Sequence, residues 1–281
     1  MLGFLRQTSL RRLVIALLLV YGYFMFGTII IDTYKKDETY EIADAIDDIC
    51  CANDNYGWSS AGIYSFWNYY TREVFYIGLA VDLHQRFMQH NGLAKIDDNS
   101  CKFNKITEYF NTCHKIGYTI FLQSPLSQPN TYKNKKLYKN NNENDYLAKN
   151  NPGNVGKEDI KQVEGILIEA YKKNHRKYPS WNKVGGSIKG QEASKLGNYE
   201  IIKSFTDFKE PNPLVSRSTI RELLNNPTYV RYEEFLHPAR TLMLLYGMPF
   251  SKAVKKVREF CIIDTYAEMI ESRYFDKVLN L

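Results

Sequence analysis

The chain has 281 residues and carries 37 Lys or Arg against 31 Asp or Glu, a formal charge of +6. That length suits one or two domains, and a content of 44% hydrophobic and 14% aromatic residues excludes wholesale disorder. Five cysteines in so long a chain exclude a dense disulfide framework, and without a Cys-x-x-Cys pair a zinc ribbon is not expected.

Leu13 to Ile31 reads LVIALLLVYGYFMFGTIII, 19 residues without a charge. As a helix it would cover roughly 28 Å, close to the hydrocarbon thickness of a bilayer. Gly22 and Gly27 are common in membrane spans. The run is long for a signal-peptide core and no small-x-small cleavage site follows it. It also lacks the polar stripe of a soluble core helix. The expectation is a transmembrane helix over residues 13–31 and a single-pass membrane protein, with residues 1–36 as the N-terminal membrane anchor. A buried helix and a cleaved signal peptide are the competing readings. Arg6, Arg11 and Arg12 before the run, against Lys35 and Lys36 after it, place the bulk of the chain outside by a thin margin.

Residues 37–60 form an acidic linker, in which Tyr40, Ile42, Ala45, Ile46 and Ile49 have the spacing of a short amphipathic helix. Gly62–Phe66 and Val74–Gly78 are β-branched and aromatic, and the polar residues between them suggest a hairpin. Val81–Asn91 then has helical spacing, with Asp82 near its start and Gly92 as a C-cap. Ile116–Leu122 reads as a third strand, stopped by Pro125. Residues 127–157, rich in Asn and Lys, read as a mobile insertion. Helical spacing returns from Glu158 to Asn174, and residues 211–281 read as a helical C-terminal region with helices over Ser216–Leu224, Tyr232–Tyr246 and Ser251–Phe275.

The most specific signal lies in the hairpin. Gly62-Ile63-Tyr64 is followed by Tyr76-Ile77-Gly78, and Arg86 comes on the next helix, within DLHQRFMQH. Downstream, VEGILIEAYKKNHRKYPSWN carries Glu164 before a Leu-Ile pair, then Pro179, Trp181 and Asn182. Over residues 61–190 the chain resembles the GIY-YIG nuclease family. The resemblance implies an α+β fold with a small three-stranded antiparallel sheet flanked by helices. It also implies a divalent-metal-dependent endonuclease in which Tyr64, Tyr76, Arg86, Glu164 and Asn182 are catalytic and Glu164 is the metal ligand for Mg²⁺ or Mn²⁺. His90, one turn beyond Arg86, shares its face and is an auxiliary candidate. Two departures stand out: the Asn/Lys-rich insertion before Glu164, and a long interval from Glu164 to Asn182. Leu79 follows YIG, where many members have a Lys or a small residue.

Phosphodiester hydrolysis needs these residue types. A carboxylate such as Glu164 suits Mg²⁺, which keeps most of its waters and takes one or two protein carboxylates. Arg86 offers a permanently charged planar fork to phosphate oxygens. Tyr64 can position the attacking water or accept its proton, and Tyr76 can hold that water or a phosphate oxygen. An unperturbed tyrosine ionises near pH 10, so a base role at neutral pH requires a nearby cation. Taken singly, each of these residues reads as an ordinary strand tyrosine, surface arginine or helix glutamate. Their joint spacing is what points to chemistry.

Residues 101–190 hold 16 Lys or Arg against 7 Asp or Glu, a balance of +9, while the rest of the chain is at −3. That placement favours a polyanionic partner, DNA first, with RNA not excluded. Lys133, Lys135, Lys136 and Lys139 form either a phosphate track or a solvated loop. SRSTIREL, from Ser216, resembles a helix-turn-helix recognition helix without a first helix before it. The leading expectation is a membrane-anchored DNA endonuclease. The alternative is a membrane-tethered nucleic-acid or partner binding module of the same fold with little or no cleavage activity.

Overall fold

The structure, a computed structural model, describes residues 25–50, 58–95, 102–131 and 152–281. Its centre is one antiparallel sheet of four strands rather than three: β1 (Phe26–Tyr34), β2 (Gly62–Asn68), β3 (Val74–Ala80) and β4 (Ile116–Gln123), in the order β1-β4-β2-β3. The hairpin register pairs Tyr64 with Gly78 and Phe66 with Tyr76. On its other side β2 pairs with β4, Tyr64 opposite Ile120.

Strand β1 overturns the predicted membrane anchor. The last six residues of the apolar run, Phe26–Ile31, belong to this strand, and all nine β1 residues are buried. No helix among the described residues is long and apolar enough to cross a membrane, so the single-pass membrane placement falls with the anchor. The remainder of the run, residues 13–24, lies outside the described residues. The physical reason is that β1 is covered on both faces. Phe26, Ile29 and Ile31 join one hydrophobic cluster while Ile30 and Tyr34 join the other. A strand buried on both faces loses the polar alternation that would betray it, and its apolar run then reads like a span.

Period-two alternation divides the rest of the sheet cleanly. One face carries Tyr64, Phe66, Tyr118 and Ile120, covered by α1 (Thr39–Ile49), α2 (Leu83–His90) and α3 (Phe103–Phe110). The other carries Ile63, Trp67, Ile77 and Phe121, covered by the long α4 (Pro152–His175). Helix α4 starts at Pro152, the residue type favoured at a first helical position, so residues 152–157 are helix and not part of the predicted loop. Pro125–Ser127 form a 3₁₀ turn, and Gln128 is buried, accepting from Ser60 N at 2.8 Å. Residues 132–151, with the four loop lysines, lie outside the described residues. Cys50 is buried.

After α5 (Ile188–Ala193) and α6 (Tyr199–Lys203) come α7 (Ile220–Leu224), α8 (Pro227–Tyr246), α9 (Phe250–Arg258) and α10 (Thr265–Glu271). The C-terminal helices have their own hydrophobic cluster, with Phe235, Leu236, Val254 and Met269 inside it. They are also tied into β1. Buried Arg240 pairs with buried Glu233, donates to Thr28 Oγ1 at 3.0 Å, and reaches the Pro213 carbonyl at 2.7 Å. Tyr274 donates to the same Glu233 at 2.7 Å. A Cβ on Gly27 would lie 2.6 Å from the His237 carbonyl oxygen, so a bare glycine lets α8 approach the strand. Helix α7 is short, and Arg221 in it binds Asp32 and the Thr33 carbonyl at 3.1 and 2.7 Å. That arginine anchors β1, which removes the basis for the recognition-helix reading.

Candidate functional site

The hairpin brings Tyr64 and Tyr76 onto one face with ring centroids 5.7 Å apart. Gly78 makes this possible. A Cβ there would lie 2.6 Å from Tyr76 Cε1 and 2.9 Å from Tyr64 Oη, so the glycine of the second tripeptide clears the space the two rings fill. Tyr64 is 2% exposed, packed by Phe66 and Tyr118. Tyr76 is half-buried and forms the open end of the pair.

Helix α2 delivers Arg86 and His90. Asp82 Oδ1 caps its start by accepting from Gln85 N at 2.9 Å, and Gly92, with φ +75°, turns the chain at its end. His90 is fully buried, with Nε2 2.6 Å from Tyr64 Oη. Its Nδ1 accepts from the Lys102 backbone N–H at 3.0 Å. Burial, helped by Arg86 and Lys102, pushes the imidazole down to about 3, so the ring is neutral. A neutral imidazole that accepts at Nδ1 carries its proton on Nε2, and His90 therefore donates to Tyr64. Burial also holds the Tyr64 phenol well above its ordinary value, the Tyr76 phenol and the hydrogen bond to it add to this, and Arg86 opposes. The hydrogen bonds thus run from Lys102 through His90 and Tyr64 to Tyr76.

Glu164 reaches the same place from α4, with one carboxylate oxygen accepting from the Leu79 backbone N–H. Burial pushes it up to about 7, against the opposing effects of that N–H and of Arg86. Arg86 is the common neighbour, its charge acting on Tyr64, His90 and Glu164 alike. Tyr64, Tyr76 and His90 are thus in mutual contact, Glu164 meets the edge of β3 at Leu79, and the charge of Arg86 acts on both groups.

Asn182 is placed differently. Its Oδ1 accepts from Ile77 N at 3.0 Å and its Nδ2 donates to Ile77 O at 2.8 Å. Beside it, Trp181 N donates to the Phe75 carbonyl at 2.8 Å, and the indole stacks on Phe75 with centroids 4.8 Å apart. The Pro-x-aromatic-Asn piece closes the outer edge of β3, so Asn182 holds the strand that carries Tyr76 rather than presenting its amide to a ligand.

No family model, no curated protein and no solved structure matches this chain. What the site can do follows from its own geometry. Among the described residues there is no group of three or more His, Cys, Asp or Glu able to hold a metal, which does not suit a structural zinc site. A lone carboxylate with one oxygen bound to a backbone N–H suits a hard ion that keeps most of its waters, Mg²⁺ or Mn²⁺. Sequence reasoning missed Lys102. Its ammonium lies 4.6 Å from the centroid of the Tyr76 ring, over its face. It had no motif to mark it, only its position ahead of α3, a helix the sequence reading did not anticipate. A cavity of about 560 Å³ opens at the far end of α4, between Arg72, Tyr171, His175, Tyr199 and Lys203, and none of Tyr64, Tyr76, Arg86 and Glu164 lines it.

Proposed function

We propose that this protein is a divalent-metal-dependent endonuclease that hydrolyses DNA phosphodiester bonds, in keeping with the GIY-YIG resemblance. The observation that carries the reading is the convergence of Tyr64, Tyr76 and Arg86 with the Glu164 carboxylate beside Leu79. These groups come from two strands and two helices, and the charge of Arg86 acts on both Tyr64 and Glu164.

In this reading Arg86 binds the non-bridging phosphate oxygens and offsets the charge that builds on them in the transition state. Tyr76, at the open end, takes the proton from the attacking water as its ionised phenol. The water oxygen bonds to phosphorus, the bond to the departing oxygen breaks, and that oxygen takes a proton from solvent. Tyr64, too buried to ionise readily, acts behind Tyr76 by hydrogen-bonding to it, and His90 fixes Tyr64. Glu164 would hold Mg²⁺ or Mn²⁺, which would polarise the phosphate and favour the departing oxygen. Asn182 keeps β3 in place.

The test is metal-dependent cleavage of plasmid DNA by the full chain, beside Glu164→Ala and Arg86→Ala variants checked for folding. Product with the wild type and none with either folded variant supports the reading. Cleavage retained in both overturns the site. DNA retained on a gel without product, at any divalent metal, favours a binding module of the same arrangement.

A further inference from the structure

Lys102 meets the tyrosine site twice. Its backbone N–H holds His90 Nδ1 at 3.0 Å, and its ammonium covers the Tyr76 ring face at 4.6 Å. The first contact fixes the imidazole tautomer, but any residue with an N–H would supply it. The second depends on the side chain, and it brings a positive charge onto the half-buried phenol at the open end of the hydrogen-bond chain.

The charged and titratable groups around the pair can be named by element. Arg86 and His90 come from α2, Tyr118 from β4, Glu164 from α4, and Lys102 from the segment ahead of α3. Tyr118 is buried beneath Tyr64. His90 is neutral, and its Nε2–H is committed to Tyr64. The charge of Arg86 acts on Tyr64, His90 and Glu164, and its fork is the group suited to phosphate. Lys102 is the cation the structure lays over the Tyr76 ring itself.

Resting on the nuclease reading, we infer that Lys102 is a positioning residue of the reaction: its ammonium stabilises negative charge on the Tyr76 oxygen as that phenolate takes the proton from water, while its N–H locks the His90–Tyr64 pair behind it. This makes the site a two-cation device. One cation is devoted to the phosphate and the other to the base.

The test uses the full chain and Lys102→Met, a variant that keeps the backbone N–H and a long side chain but removes the charge. Cleavage is expected to fall by ~10- to 100-fold near neutral pH, with KM nearly unchanged. The deficit is expected to shrink toward about pH 10, where an unassisted phenol ionises. Lys102→Arg is expected to restore most of the rate. A merely structural lysine would give a loss independent of pH, and that result, or full activity in Lys102→Met, overturns the inference.

A second readout does not depend on cleavage. With ring-labelled tyrosine, and the Tyr76 signal identified by Tyr76→Phe, the NMR titration midpoint of Tyr76 is expected to move to higher pH in Lys102→Met. An unmoved midpoint overturns the inference whether or not the chain cuts DNA. A moved midpoint in a chain that cuts nothing keeps the Lys102–Tyr76 coupling and sinks the nuclease reading instead.

Discussion

His90 Nε2 lies 2.6 Å from the Tyr64 hydroxyl while Nδ1 accepts from Lys102 N–H at 3.0 Å, so both imidazole nitrogens are spoken for inside the protein. With its ionisation pushed from 6.5 down to about 3, mainly by burial, His90 is expected to show no titration between about pH 5 and 8 by NMR. An imidazole midpoint near its ordinary value would contradict the geometry. The sign for stability follows from the depressed value. The unfolded chain takes up a proton that the folded one refuses, so this contribution is complete above the ordinary value and is lost as pH falls from there toward 3. His90→Ala leaves the buried Tyr64 hydroxyl without its donor and is expected to cost ~1–3 kcal/mol in a denaturant titration. His90→Gln, which can return an N–H, is expected to cost less.

Glu164 has the opposite pH dependence. Burial raises its carboxyl to about 7 from 4.5, so the folded chain holds a proton that the unfolded chain releases. Stability is reduced as pH rises from 4.5 through about 7, and the deficit persists above that. Glu164→Gln keeps the acceptor for Leu79 N–H but removes the charge. The variant is expected to match the wild type in melting below pH 4.5, and to exceed it by ~1–3 kcal/mol above neutrality. Added Mg²⁺ or Mn²⁺ is expected to raise the melting temperature of the wild type and leave the variant unmoved. Equal metal responses in the two proteins would remove Glu164 from the metal role.

Gly78→Ala probes the tyrosine pair from the backbone side. The new Cβ would stand 2.6 Å from Tyr76 Cε1 and 2.9 Å from Tyr64 Cζ and Oη, and neither ring can retreat without disturbing His90 or Tyr118, which pack beside Tyr64. A destabilisation of ~1–3 kcal/mol is expected from this overpacking. Cleavage should fall further than the loss of folded protein accounts for, because the pair itself is displaced. Thermal melting and cleavage measured on the same preparation separate the two effects.

The parts of this architecture that were legible are those with a period. The hairpin and β4 alternate, α1 and α2 repeat every three or four residues, and the spacing of Tyr64, Tyr76, Arg86 and Glu164 stands in the sequence itself. Strand β1 was not legible, because Phe26, Ile29 and Ile31 face one cluster while Ile30 and Tyr34 face the other. Local pattern cannot separate such a strand from an apolar helix. Asn182 was found by motif, but its role was not. That its amide pairs with Ile77 on both sides is a tertiary fact. Lys102 carried no signal at all, since its function depends on where a connecting segment happens to pass over a ring.

Strand β1 also decides which piece of the chain can fold. The motif-bearing stretch, residues 61–190, excludes β1 and α1. In the structure β1 pairs with β4 along most of its length, from Phe26 opposite Gln123 to Tyr34 opposite Ile116. It contributes Phe26, Ile29, Ile30, Ile31 and Tyr34 to the two cores, each 2% exposed or less. Burying one such side chain is worth ~1.5–3 kcal/mol, so losing five is comparable to the ~5–15 kcal/mol of stability that a whole domain typically possesses, and the bared edge of β4 adds to the loss. A fragment of residues 61–190 is expected to show no cooperative melt by circular dichroism and to aggregate, while the full chain melts cooperatively. Ile30→Asp in the full chain, which puts an unpaired charge between Tyr34 and the α1 face, is expected to destabilise by more than ~4 kcal/mol. A well-folded fragment with native melting would mean that β1 is an accessory strand and that the motif-bearing stretch is self-sufficient.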